Sequence, residues 1–224
     1  MKKRRICKLL CLWLFLLAGC AGQEETTDGP LTQEQIARAN EAFVSEMAVY
    51  GEGSNTAIVY STQISCFFTS FYSQPSEIDL AEFLRYCPAD TVLEDSDKAE
   101  FQAVMIADGN GKLVIPPSQY VVPVHRYRKA DVSALLEKYA NIKVDDLTST
   151  EGTLYLEEYD AFYNFTSDFG PGYFQCVGGE KQGDTIRLWS DTDERDGCVR
   201  VLTVKEVDGA YFIWSFLKET SADG

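Results

Sequence analysis

From Tyr173 to Leu217 the apolar residues recur with a period of two, and this switch constrains the fold more than any other feature of the chain. A strand turns successive side chains to opposite faces, so a sustained alternation of this kind predicts an antiparallel sheet with one buried face. Residues 173–178, 184–190, 198–207 and 210–217 read as a four-strand meander, with turns at 179–183, 191–197 and Asp208-Gly209. A two-residue type I′ turn at Asp208-Gly209 sets Val207 opposite Ala210, Lys205 opposite Phe212, Thr203 opposite Trp214 and Val201 opposite Phe216. That aromatic face is expected to meet the helices.

The helices are expected mainly in the first half. Thr32 with Gln35 is a capping-box start, and Ile36, Ala39, Phe43, Met47 and Tyr50 keep helical spacing up to Gly51 and Gly53. Asn55–Tyr72 is rich in β-branched and aromatic residues and reads as strand. Asp79 with Glu82 caps a two-turn helix that Pro88 ends, and Ser96–Ala107 presents Phe101, Val104 and Met105 on one side of a third. Ala130–Asn141 aligns Val132, Leu135, Leu136 and Tyr139, with Asn141 suited to a left-handed stop. Tyr155, Tyr159, Phe162 and Tyr163 match helical spacing, and over so short a run strand alternation fits as well. The expected class is therefore α+β, a helical N-terminal half packed on a C-terminal four-strand antiparallel meander.

The chain opens with Lys2, Lys3, Arg4 and Arg5, continues through an apolar run from Leu9 to Leu17, and reaches Leu17-Ala18-Gly19-Cys20 at once. A positive start and a short apolar stretch form an export signal, too short for a bilayer that needs about 20 residues. Leu17-Ala18-Gly19-Cys20 resembles the lipobox of bacterial lipoproteins, which implies cleavage before Cys20 and diacylglycerol on its sulfur. Two or more acyl chains hold a protein stably, so the expected location is the outer side of a membrane. The expected organisation is a signal over 1–19, a lipidated cysteine and flexible tether over 20–31, one α+β domain over 32–218 and a disordered tail over 219–224. Gly109, Gly111, Pro116 and Pro117 mark the place, near 108–118, where two subdomains would divide.

Five of the 20 Lys and Arg leave with the signal, so the exported chain holds 15 basic against 35 acidic residues, a formal charge of −20. Such a body is repelled by nucleic acid and by anionic lipid heads within a Debye length of about 8 Å, which excludes a nucleic-acid reader. It suits a solvated surface, and among charged partners it admits basic ones and divalent cations. Cys66, Cys87, Cys176 and Cys198 remain after Cys7, Cys11 and Cys20 are set aside, and four cysteines allow three disulfide connectivities. In the expected meander Cys198 lies beside residue 190, one strand from the Cys176 strand. Second-neighbour strands are roughly 9 to 10 Å apart, beyond disulfide reach, so that pair is read as buried thiols, while Cys66 with Cys87 stays open. No CxxC and no Cys/His cluster points to a structural zinc, and no cofactor is implied.

Three constellations are candidates for chemistry. His125-Arg126-Tyr127-Arg128-Lys129 is the one dense basic patch, able to receive a carboxylate or phosphate or to pair with the chain's own acids. Glu157, Glu158, Asp160 and Asp168 lie among Tyr155, Tyr159, Phe162, Tyr163 and Phe169, the components of a glycoside hydrolase, whereas an amphipathic helix with Glu157 and Asp160 on one face explains them without catalysis. Asp191-Thr192-Asp193-Glu194-Arg195-Asp196-Gly197 departs from the EF-hand pattern at its fifth, sixth and twelfth places and reads as a charged hairpin turn. His125 has no nucleophile elbow beside it, so no catalytic residue is assigned.

Cys66-Phe-Phe-Thr-Ser-Phe-Tyr72, Asp79-Leu-Ala-Glu-Phe-Leu-Arg-Tyr86 and Tyr155-Leu-Glu-Glu-Tyr-Asp-Ala-Phe-Tyr163 resemble a group of uncharacterised lipoproteins of Gram-positive bacteria. That resemblance spans most of the mature body and implies a location without implying an activity. In outline the expected fold is similar to NTF2-like α+β domains, which hold small ligands in a cone. The expected function is that of a membrane-anchored binding or interaction module for a protein or small molecule, with His125, Arg126, Arg128, Glu157 and Asp160 as candidate binding residues. The alternative is an extracytoplasmic hydrolase of envelope glycans or peptides, which requires those groups to converge in a pocket.

Overall fold

The structure, a computed structural model, describes residues 28–44, 46–50, 57–108, 124–165 and 173–220. In chain order its elements are β1 (Gly29–Pro30), α1 (Gln33–Ala42), β2 (Glu46–Tyr50), β3 (Ala57–Ser61), α2 (Leu80–Leu84), β4 (Asp90–Val92), α3 (Lys98–Asp108) and β5 (Val124–Arg128). They continue with α4 (Lys129–Ala140), β6 (Leu154–Leu156), β7 (Ala161–Phe165), β8 (Gly178–Gln182), β9 (Thr185–Trp189), β10 (Cys198–Val207) and β11 (Ala210–Thr220). Strands order as β1-β8-β9-β10-β11, β2-β3 and β4-β5-β7-β6.

This corrects the expected fold class. The C-terminal sheet has five strands, because Gly29 and Pro30 pair antiparallel with Lys181 and Glu180. The first half is not predominantly helical, since β2 and β3 form a hairpin and β4 and β5 enter the four-strand sheet. Met47 and Tyr50 belong to β2 and not to α1, which ends at Ala42 with Phe43 as its cap. A few spaced apolar residues satisfy both periods, and here the pairing of Glu46–Tyr50 with Ala57–Ser61 decides. The expected strand over 55–72 is confined to β3 among the described residues, and Ser65–Phe68 is a buried 3₁₀ turn. Tyr155–Tyr163 likewise is no helix. It is β6, a 3₁₀ turn over Glu157–Tyr159 and β7, paired Tyr155 to Phe162.

Local signals do hold where caps and turns set them. Thr32 and Gln35 form the reciprocal capping box of α1, and the Asp79 side chain accepts from the Glu82 N–H at the start of α2. Asn141 ends α4 at φ 54°, as a left-handed stop requires. Asp208 and Gly209 both have positive φ, the type I′ signature, and Val207 faces Ala210. A bulge at Thr203/Val204 then shifts the register, so Thr203 faces Ser215 and Leu202 faces Phe216. That one-residue shift buries Phe216 and leaves Trp214 exposed, with Lys205 Nζ 3.6 Å over its ring, so the expected aromatic face does not meet the helices.

The strand expected over 173–178 is displaced too. Phe174 and Cys176 are buried while Tyr173, Gln175 and Val177 are exposed, yet the ladder begins only at Gly178. Gly178 and Gly179 serve close packing and not a turn. A Cβ on Gly178 would lie 2.4 Å from Trp189 Nε1, and one on Gly179 would lie 2.7 Å from Leu31 Cδ1.

The main core is continuous between the two large sheets. From the five-strand sheet come Ile186, Leu188, Leu202, Val204, Ile213 and Phe216, and from the four-strand sheet Tyr127 and Phe162. Between them pack α4 through Val132 and Leu136, α2 through Phe83 and Leu84, and the 65–68 turn through Phe67, whose ring meets Phe83 edge-on at 5.1 Å. The opposite face of the four-strand sheet, with Val124, Leu154, Ala161 and Tyr163, packs on Val104 of α3. Phe101 and Ile106 of α3 remain exposed, so its expected apolar stripe is buried only at Val104 and partly at Met105. Cys66, Cys87, Cys176 and Cys198 are all buried free thiols, and burial pushes the Cys87 thiol up to about 12. β11 runs to Thr220, two residues past the expected domain limit, and the expected break near 108–118 lies almost wholly outside the described residues.

Candidate functional site

The core face of the five-strand sheet is covered along part of its length. Leu202 pairs with Leu188 and Val204 with Ile186, and α1 lies over this part through Ala39 and Phe43. The space left there is about 30 Å³, one water's share of volume and too small for a ligand. One step further along the same alternation lie Ser190 and Arg200, joined by the Ser190 N–H donating to the Arg200 carbonyl at 2.9 Å. Among the described residues the covering layer ends here and a groove of about 480 Å³ opens.

Its floor is Phe68, Phe71 and Phe216. Phe216 meets Phe68 edge-on at 5.1 Å and stacks against Phe71 at 5.3 Å, while the Arg200 guanidinium lies 5.5 Å from the Phe71 centroid. One wall is the extended stretch that presents Tyr173, Gln175 and Val177, and the other is the β9–β10 turn with Ser190, Asp191, Asp193 and Arg195. The first wall is held by Asn40 of α1, whose side-chain amide donates to the Cys176 carbonyl at 2.8 Å and accepts from the Cys176 N–H at 2.7 Å. An amide side chain thus takes the place of a neighbouring strand. Tyr173 is 59%, Val177 49% and Phe71 48% exposed, so three apolar side chains turned to solvent share one concavity.

The rim charges are mutually satisfied. Arg195 grips Asp193 with two nitrogens, at 3.0 and 2.7 Å, and Arg200 reaches Asp196 at 2.6 Å and Asp193 at 3.3 Å. Lys218 approaches Asp196 at 3.1 Å. Hydrogen bonds from Arg195 hold the Asp193 carboxyl down to about 2, and those from Arg200 hold Asp196 below the usual carboxylate range. The turn is therefore a self-paired charged hairpin.

The candidates named from the sequence lie elsewhere. His125 is buried and its Nδ1 bonds the Asp90 carboxylate across β4 and β5. Arg126, next in the strand, points to the other face, where its Nη1 donates to Glu100 of α3 at 2.6 Å. The Tyr163 hydroxyl donates to the second oxygen of Glu100, also at 2.6 Å, and burial with this bond raises the Tyr163 pKa. Arg128 is exposed at the junction of β5 and α4, and Lys129 pairs with Asp145 at 2.6 Å. Glu157 is exposed in the β6–β7 turn, and Asp160 ends that turn at φ 47°, accepting from the Tyr155 hydroxyl at 2.6 Å. Asp168 lies outside the described residues. None of His125, Arg126, Arg128, Glu157, Glu158 or Asp160 lines either cavity described above.

The groove was not legible in the sequence. The alternation at 173–177 exposes Tyr173, Gln175 and Val177, but nothing local tells that Phe71 and Arg200 come to meet them. Among the described residues no group of three His, Cys, Asp or Glu could hold a metal ion, and no helix is long and apolar enough to cross a membrane. Compared with family models, with curated proteins and with solved structures, the chain finds no match.

Proposed function

We propose that the protein is an exported lipoprotein, tethered to the outer side of a membrane through acyl chains on Cys20, and that its body is a binding module whose ligand seats in the groove between Phe71 and Tyr173. The groove carries the second half of this reading. A concavity of about 480 Å³ with three half-exposed apolar side chains and a polar rim has the make-up of a ligand site. Its walls are also fixed in advance, since Asn40 clamps one and paired charges brace the other. The first half rests on the order of the opening residues, a basic start, an apolar run and Leu17-Ala18-Gly19-Cys20.

Labelling with radioactive palmitate and cell fractionation test the anchor. The parent chain is expected in the membrane fraction with label, and Cys20→Ser without label and displaced from that fraction. Equal partitioning of the two overturns the anchor. The site is tested by adding small saccharides, peptides and anions to isotope-labelled full-length chain. NMR shift changes are expected to gather at Phe71, Tyr173 and Val177, and changes gathered around His125 or Asp160 instead would refute the groove.

A further inference from the structure

Taking the groove as the binding site, we infer that its ligand is a neutral oligosaccharide. The pairing of charges around the groove carries this choice. A site for an anion needs cations to spare, but Arg195 is engaged by Asp193 and Arg200 by Asp196 and Asp193. A site for a basic segment needs several carboxylates to spare, and among the described residues Asp193 has cationic partners while Asp191 alone of the aspartates lining the groove has none. A lipid chain would set that carboxylate and the Gln175 amide nitrogen against hydrocarbon, at the cost that unpaired polar groups carry, and the aliphatic side chains of an apolar peptide lack the flat faces that the Phe71 and Tyr173 rings would stack on.

What remains is a ligand with flat apolar faces and an edge of groups that both donate and accept hydrogen bonds, without net charge. A pyranose ring has that form. Tyr173 and Phe71 supply broad, half-exposed ring surface for its C–H face. The Gln175 amide nitrogen and the Asp191 carboxylate lie along the same walls to exchange hydrogen bonds with its hydroxyls. The groove is open at its surface and within the volume range of small-ligand sites, which suits a segment of a longer glycan.

Isothermal titration of the full chain, kept in a detergent without a sugar head group, tests this. The probes are maltohexaose, cellohexaose and chitohexaose, beside a heparin oligosaccharide, hexalysine and a leucine-rich heptapeptide. At least one of the three neutral hexasaccharides is expected to bind. Its affinity should hold when ionic strength rises from about 0.01 to about 1 M, which shortens the Debye length from roughly 30 to roughly 3 Å. Tyr173→Ala is expected to weaken it about tenfold or more, as loss of an aromatic anchor does, and Asp191→Asn by less. Tyr173→Phe keeps the ring and is expected to retain most of the affinity. If no neutral hexasaccharide binds while heparin, hexalysine or the heptapeptide does so at Phe71 and Tyr173, the saccharide assignment falls and the groove stands as the site. If binding of every probe is indifferent to Tyr173→Ala, or no probe binds, both fall.

Discussion

The Arg126–Glu100–Tyr163 cluster makes the sharpest test of how this fold is held together. Arg126 and Tyr163 are directly paired across β5 and β7, and both donate to one carboxylate from the first turn of α3. Glu100 is 7% exposed and Arg126 Nε is buried without a partner, so the network is incompletely satisfied. Arg126→Met leaves the Glu100 charge buried with only the tyrosine hydroxyl, which costs about 3–5 kcal/mol. Tyr163→Phe removes one hydrogen bond to a charged acceptor, about 1.5–3 kcal/mol. The triple variant Arg126→Met, Glu100→Leu, Tyr163→Phe removes the desolvated charges and the orphaned Nε together. It is therefore expected within about 1 kcal/mol of the parent or above it, since well-packed apolar replacements of buried ion pairs are often neutral or stabilising. Urea titration followed by circular dichroism reads these differences. With a slope near 3 kcal/mol per molar, the Arg126→Met midpoint should fall by about 1–2 M. A fall worth under about 1 kcal/mol would show a solvated pair, and a triple variant as unstable as Arg126→Met would show that packing and not charge limits this face of the sheet.

Two further outcomes follow from other parts of the core. Asn40→Ala removes both partners of the Cys176 backbone and is expected to cost about 2–6 kcal/mol, at about 1–3 for each buried group left unpaired, with amide exchange at Cys176 rising to match. Protected exchange in that variant would show that the 173–177 wall does not depend on α1. Burial, and for Cys66 also the neighbouring Cys87, raises both thiol pKa values, to about 12 for Cys87. The unfolded thiols ionise near 8.5, so the unfolded state releases protons first as pH rises. Stability is then lost between about pH 8.5 and the folded-state values, by up to about 1.4 kcal/mol per pH unit for each thiol. Urea midpoints under reductant at about pH 8 and about pH 10 measure that slope, and an equal slope in Cys66→Ala/Cys87→Ala would refute its assignment to these residues.

What the sequence by itself determined are the features set within four or five residues. The capping box at Thr32, the side-chain cap at Asp79, the left-handed stop at Asn141 and the Asp208-Gly209 turn all stand where their residue types put them, because each is closed by hydrogen bonds or torsions of neighbouring residues. The opening residues up to Cys20 belong to the same kind of local signal, and they carry the proposed anchor.

Tertiary structure alone decided the rest. Met47–Tyr50 and Tyr155–Tyr163 each satisfy two periods, and strand pairing decided both, with the neighbouring Ala57–Ser61 for the first and with Val124–Arg128 for the Ala161–Phe165 strand that holds the end of the second. The bulge at Thr203/Val204 turned Phe216 inward and Trp214 outward, which no count of alternating residues from the turn foretells. The groove is the extreme case. Among the described residues the layer over the five-strand sheet stops short of Arg200, and Phe71, Tyr173 and Arg200 come together there from three separate stretches of chain. An absence of covering atoms leaves no mark in the residues that it exposes.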